Sequence, residues 1–285
     1  MSQPPPEIYF NPYDESFRAN PYPHYGPMLK GPPRVFETMV PMAVVARYAD
    51  VMAVLRDHEH FSSVQPNSPL TARRKEVFGD TATILFSDPP VHSRLRRLVT
   101  RAFTARRIRD MEPRIRALAD ELLSKAEDHG ELEVMNDLAV PLPVMAIAEM
   151  LGVPPDEYET FKSWSDIIVD GDNTPPTEPL PPGVHQAFGE LVGFFRSEVE
   201  KRRRAPADDL VSVLVAAHEE NEALSEAEVI AFVVLLLLAG NETTTNLIGN
   251  GMLALGCHRD QLERLRRSPE LMPGAIEEML RYDSP

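Results

Sequence analysis

Residues 225 to 257 read SEAEVIAFVVLLLLAGNETTTNLIGNGMLALGC, and the fold turns on how this stretch is taken. Ser225 with Glu228 three residues on is a capping box, in which serine oxygen and glutamate carboxylate satisfy amides that a first helical turn leaves unpaired. The spacing predicts a helix that begins at Ser225. Val229 to Leu238 is apolar on every side, which predicts burial all round, and ten such residues fall short of the ~20 that cross a bilayer. Ala239 to Asn246, AGNETTTN, then turns polar. Either the helix ends at Gly240, which costs ~1 kcal/mol inside a helix relative to alanine, and another starts behind a threonine cap. Or the helix continues, and Ala239, Thr243, Asn246 and Asn250 recur at i, i+4, i+7 and i+11 as a stripe opening onto a cavity, with a threonine hydroxyl free to bond back to a carbonyl one turn earlier. Spacing alone leaves both open.

The chain around this stretch has 285 residues, enough for a large core in one or two domains. A net charge of -15 argues against binding nucleic acid through the bulk surface. The opening MSQPPPEIYFNPYDES has neither a basic segment nor an apolar run, so no signal peptide or membrane anchor is expected and the cytoplasm is the expected location. The single cysteine, Cys257, excludes an internal disulfide and any cysteine-rich metal cluster. His58 and His60, two apart, would point to different sides of a helix. HExxH, a Gly-rich phosphate loop and GxSxG are all absent from the sequence.

Working outward, residues 1–33 read as a proline-rich arm with at most one short helix near Pro23 to Lys30. Arg34 to Val40 and Met42 to Tyr48, broken at Pro41, read as a β-hairpin, followed by a helix over Ala49 to Asp57. Phe61 to Leu85 is a long aperiodic loop, a candidate pocket wall. Ser87-Asp88-Pro89-Pro90 starts a helix running to Phe103, with His92 and Arg96 on one face, a spacing ordinary on solvated helices. Arg107 to Asp128 is strongly amphipathic. Val134 to Leu138 suggests a strand. Helices follow over Pro141 to Leu151, ended by Gly152, and over Asp156 to Val169, which bears Trp164. Gly171 to Gly183, with five prolines, reads as a loop. Helices resume over His185 to Arg204, closing on KRRR as a helix terminus that favours cations, then over Asp208 to His218, Arg259 to Arg267 and Pro273 to Tyr282. The last carries Glu278 and Arg281 at i and i+3.

Taken together, three of these segments resemble the bacterial soluble cytochromes P-450, the haem-thiolate monooxygenases, over essentially the whole chain. They are Ala239-Gly240-Asn241-Glu242-Thr243-Thr244, the ExxR motif Glu278-Met279-Leu280-Arg281, and Asp88-Pro89-Pro90-Val91-His92 with Arg96 behind it. Each is short, but their order and separation match the family. The resemblance implies that His92 and Arg96 hold haem propionates, for which imidazole and guanidinium supply donors and positive charge. It implies that Ala239 and Gly240 lie over the haem, that Glu242 and Thr243 deliver protons, and that Glu278 and Arg281 form a buried pair bracing the core. Ile84, Leu85 and Phe86, at the tip of the long loop, would line the substrate pocket with Leu235, Ala239 and the segment from Trp164 to Gly171 that contains Ile168.

The resemblance also implies haem b, O2, and electrons from NAD(P)H through a ferredoxin or flavodoxin with its reductase. Arg94, Arg97 and Arg101, with Arg106 and Arg107 beyond, would be the docking patch; as a basic stripe alone they read equally well as a solvated face. The family's iron is held by a cysteine in a Gly-rich loop well after ExxR, whereas this sequence stops at Pro285, four residues past Arg281. No iron ligand is therefore expected in this chain; the cysteine is expected beyond Pro285, and residues 1–285 alone are expected to be inactive. Cys257, in LGCH, lacks the loop's signature and reads as a small packing residue. The expected fold is mainly α with a small β part, the P-450 fold incomplete at the C-terminus. It would form one domain over residues 1–285, comprising an arm (1–33), a small sheet part (about 34–48) and a helical core (about 49–285). The expected function is monooxygenation of a small, largely apolar organic substrate, with no nucleic acid or membrane partner. The alternative is a non-catalytic helical ligand-binding protein derived from the same fold.

Overall fold

In the computed structural model, residues 8–12, 14–37, 41–64, 75, 78–172, 174, 178–219 and 222–285 are described. The chain divides into two compact units, Met1–Arg94 with Asn173–Pro181, and Leu95–Asp172 with Pro182–Pro285. Helices dominate and the described strands are short, so the expectation of a mainly α fold with a small β part holds.

The first unit opens with more order than the arm reading allowed. Helix α1 (Glu15–Ala19) is capped by Asp14, whose carboxylate accepts from the amides of Ser16 at 2.8 Å and Phe17 at 3.2 Å, and α2 (Tyr22–Leu29) follows with proline in its first turn. A hydrogen bond from the Ser16 hydroxyl, with help from Tyr9, holds that carboxyl down at about 2. Phe17 is buried against the rings of Tyr9, Phe10 and His24. Strands β1 (Arg34–Phe36) and β2 (Met42–Val44) pair antiparallel, Arg34 opposite Val44, as the hairpin reading required. Its residues 38–40 lie outside the described ones. Helix α3 spans Tyr48–Arg56. Within the long loop, 65–74, 76 and 77 lie outside the described residues. Its start is fastened by Asp88, which accepts from the Ser62 hydroxyl and, at 2.8 Å, from the Ser63 amide.

Helix α4 (Val91–Ala102) follows, and the unit boundary falls within it; Leu95, Leu98, Val99 and Ala102 are its buried side. The second unit then contains α5 (Ala105–His129), α6 (Pro141–Leu151), α7 (Tyr158–Asp172), α8 (Val184–Arg204), α9 (Leu210–Ala216), α10 (Glu226–Cys257), α11 (Arg259–Arg267) and α12 (Met272–Tyr282). A minimal hairpin of β3 (His218–Glu219) and β4 (Glu222–Ala223) precedes α10. The strand expected at Val134 to Leu138 is instead a π-helical turn, Val134–Ala139. The Glu133 carboxylate accepts from the amides of Met135 at 3.2 Å and Asn136 at 2.6 Å, and Val140 N–H reaches back to Met135 O at 2.9 Å. Amides satisfied locally have no need of a ladder. The loop expected from Gly171 starts slightly later, because α7 runs on to Asp172.

Helix α10 settles the question left open by its sequence. It is one uninterrupted helix of 32 residues, ~48 Å long at 1.5 Å per residue. The capping box is present: Ser225 Oγ accepts from Glu228 N–H at 3.2 Å and Glu228 Oε2 accepts from Ser225 N–H at 2.8 Å. The helix packs against α6, α7, α8, α9 and the π-helical turn. Its inner side chains Val233, Val234 and Leu237 are fully buried, and each such side chain contributes roughly 1.5–3 kcal/mol by leaving water. Counted at its real length, it is long and apolar enough to cross a membrane, as is Val134–Leu151, and in this structure the two pack on each other. The shorter ten-residue measure taken from the sequence stopped where polarity began.

The KRRR run does more than terminate α8. Arg202 donates to Asp209 through Nε, to Glu198 Oε2 at 3.0 Å and to the Gly152 carbonyl at 3.1 Å, tying α8, α9 and the end of α6 together. Glu198 and Asp209 are buried, and buried carboxylates require such partners.

Candidate functional site

Side chains advance about 100° per residue around a helix, so Asn241 stands about 200° from both Ala239 and Thr243. α10 therefore has two polar faces. On the inner one, Asn241 Nδ2 donates to Ser165 Oγ of α7 at 2.9 Å, and Thr245 Oγ1 donates to the Ala139 carbonyl at 2.9 Å. Ser165, Asn241 and Thr245 are all buried. On the outer face, Ala239 and Thr243 are exposed, while Leu235, Asn246 and Asn250 are half-buried. This face is covered at its start, where the rings of Phe103 and Phe232 meet edge-on at 6.2 Å, and it opens beyond Leu235.

Thr243 Oγ1 donates to the Ala239 carbonyl at 2.7 Å, the bond-back that the sequence allowed. Its hydrogen is thereby used, and its lone pairs remain able to accept. Glu242, half-buried, makes no hydrogen bond or ion pair with any described residue. Gly240 is small for a reason the resemblance did not supply: a β-carbon there would lie 2.8 Å from Ile147 Cδ1, so its bare side faces α6.

On α4, His92 is half-buried and Arg96 exposed, one turn apart. The Arg96 side chain makes no hydrogen bond or ion pair with any described residue. Its donors are open to a carboxylate. Asp88 beside them is held below the usual carboxylate range, first by the Ser62 hydroxyl and the Ser63 amide, and in smaller part by the charge of His58 and His92. An uncommitted guanidinium and an open helix face with a methyl at Ala239 fit a flat, carboxylate-bearing group such as haem. Among the described residues no three His, Cys, Asp or Glu side chains are grouped to hold a metal ion directly.

The remaining residues singled out from the sequence are distributed as follows. Ile84 and Phe86 are half-buried and Leu85 exposed in the first unit. In the second unit Ile168 is fully buried in the core. Glu278 and Arg281 do pair, bidentately at 2.6 and 2.7 Å, at side-chain exposures of 58% and 70% among the described residues. The residue of α12 that seats on α10 is Met279, whose Sδ would lie 2.7 Å from a β-carbon on Gly251. The mutual hydrogen bonds push the Glu278 carboxyl down and the Arg281 guanidinium up. Cys257 is exposed at the end of α10, ~21 Å along the axis from Thr243, and not the packing residue expected. Sequence reasoning missed Asn241, Thr245 and Ser165. The i, i+4 spacing of an amide and a hydroxyl inside an apolar helix was the available signal.

Comparison with known proteins identifies the family. The family described as Cytochrome P450 matches residues 22–147. A cytochrome P450 of Bacillus subtilis is 41% identical over 85% of this chain and 59% of its own length. Cytochrome P450 107B1 of Saccharopolyspora erythraea is 37% identical over 96% of this chain and 68% of its own length. The structure of the bacillaene polyketide synthase cytochrome P450 PksS of Bacillus subtilis superimposes with a TM-score of 0.83 at 33% identity, over 96% of this chain and 69% of that one. The chain thus spans between about three-fifths and seven-tenths of the proteins it resembles.

Proposed function

The chain belongs to the cytochrome P450 family, and from that premise we propose that it serves a haem-dependent monooxygenase, which inserts one atom of O2 into a small, largely apolar organic molecule. The observation that carries this reading is the open face of α10, where Ala239 and Thr243 are exposed one turn apart in the middle of a helix whose opposite face, Val233, Val234, Leu237 and Asn241, is buried. Haem, when bound, supplies the iron at which oxygen is reduced. Everything else falls to the protein.

Arg96 and His92 donate to the propionate carboxylates and fix the group's orientation. Ala239, with one side-chain carbon, leaves room for substrate beside the reacting position, where Thr243 presents an oxygen that can accept a hydrogen bond from a water. Glu242, about 100° further around and without a described partner, carries protons from solvent toward that water. Leu235, with the region of Ile168, supplies apolar contact to the substrate. Electrons come from NAD(P)H through a ferredoxin or flavodoxin and its reductase, guided by the basic side chains of Arg94, Arg97 and Arg101 on a chain of net charge -15. The cytoplasm, where such carriers are reduced, is the proposed location.

The test is isotopic. Haem-loaded full-length protein supplied with NADPH, ferredoxin, its reductase and a panel of apolar compounds under 18O2 should yield a product that carries one 18O atom. Tight binding of a compound with no 18O in any product would leave the non-catalytic binding protein as the reading.

A further inference from the structure

The buried face of α10 holds a hydrogen-bonded pair that the chemistry above does not use. Asn241 is 5% exposed and Ser165 fully buried, and their bond links residues 76 apart in the chain. Thr245 backs it, donating to the Ala139 carbonyl and standing 3.4 Å from Asn241 Oδ1. No buried side-chain polar atom among the described residues lacks a partner, so this set is closed. Two turns of helix carry both this set and, on the opposite side, Ala239 and Thr243. A helix is rigid in rotation, so whatever fixes the azimuth of Asn241 fixes that of Thr243.

The apolar neighbours do not fix it equally well. Ala231, Val233, Val234 and Leu237 bury a broad band of α10, and apolar contact is non-directional, so a small rotation or slide exchanges one such contact for another. An amide bonded to a hydroxyl has no such freedom. Turning α10 or sliding α7 would orphan two buried polar groups at once. Ser165 also lies between Trp164 and Ile168, on the turn of α7 that the proposed function assigns to substrate contact.

We propose that Asn241 and Ser165 form a positioning latch that sets the rotation of the central helix, and through it the aim of Thr243, while holding α7 at one depth against it. Asn241 and Ser165 are positioning residues; neither touches the reacting atoms. The inference deepens the monooxygenase reading and rests on it only for its second readout.

The first readout is amide hydrogen exchange, which needs no turnover. In the haem-loaded full-length protein, Ser165→Ala and Asn241→Leu should each speed exchange at least threefold in both 161–168 and 239–245. The double variant should exceed neither single by more than about a third, because one bond is lost in all three. Additive effects, or effects confined to the mutated helix, would overturn the latch. The second readout is the partition of electrons at equal haem content. Ser165→Ala, which removes one oxygen atom and retains the fold more safely than Asn241→Leu, should lower product formed per NADPH at least threefold while changing KM for substrate less than twofold. Unchanged coupling beside altered exchange would overturn the positioning of Thr243. If wild-type protein forms no oxygenated product at all, the monooxygenase reading fails, while the exchange experiment still decides the latch.

Discussion

Gly152 and Asp209 are pressed together so closely that a β-carbon on Gly152 would fall within 2.8 Å of Asp209 Cβ and Cγ. Gly152 closes α6 in the left-handed region at φ 73°, and its carbonyl and Asp209 share the guanidinium of Arg202. Gly130 has the same φ of 73° with nothing within 4 Å of its β-position. Gly130→Ala should therefore cost only the backbone strain, ~1–2 kcal/mol. Gly152→Ala should add displacement of a buried, bonded carboxylate and cost at least ~3 kcal/mol. Urea midpoints of the two variants measure the difference, and equal losses would show that the contact with Asp209 relaxes freely.

Burial raises the Tyr158 hydroxyl from 10.0 to about 12, with the charge of Glu149 adding to it. A folded-state value above the unfolded one means that this group's contribution to stability is complete below pH 10 and is lost as pH rises from 10 toward 12. Absorbance at 295 nm should show one tyrosine titrating near pH 12 in the folded protein, missing in Tyr158→Phe. The variant should also lose stability less steeply between pH 10 and 12. Titration of every tyrosine near pH 10 would refute the assignment.

Thr243 is exposed and hydrogen-bonded only to the carbonyl one turn back, so Thr243→Ala should shift folding stability by no more than ~0.5 kcal/mol. In the haem-loaded full-length enzyme it should keep haem content and substrate affinity while diverting a larger share of reducing equivalents to hydrogen peroxide. Glu242→Gln should instead slow turnover with little peroxide. Wild-type turnover and coupling in both variants would remove the proton route.

On α4 the basic residues outnumber acidic ones, with no Asp or Glu between Val91 and Ala102. Reversing Arg97 and Arg101 to glutamate should slow reduction by an acidic ferredoxin at low salt and flatten its dependence on ionic strength, since rim charges act mainly on association rate. Stopped-flow reduction between 20 and 300 mM salt reads both effects. An unchanged rate at the lowest salt would put docking elsewhere.

Much of this protein was fixed by signals that act within a few residues. The Ser225/Glu228 box starts α10, Gly152 ends α6, and the apolar spacing of α4 and α5 marks their cores, because caps and periodicity are settled by the chain's own amides and nearest turns. The three motifs were likewise legible because each is contiguous. What the sequence left open was direction. The spacing of Ala239, Thr243, Asn246 and Asn250 fixes their angles to one another but not which way the set points. That was decided by Ser165 and Ala139, 76 and 106 residues away. The same distance effect turned Gly240 toward Ile147, made Arg202 a half-buried tie, and gave Val134 to Ala139 a π-helical turn packed on α10. Buried polar groups and close glycine contacts depend on what arrives from elsewhere in the chain, and only the packed tertiary structure supplies that partner.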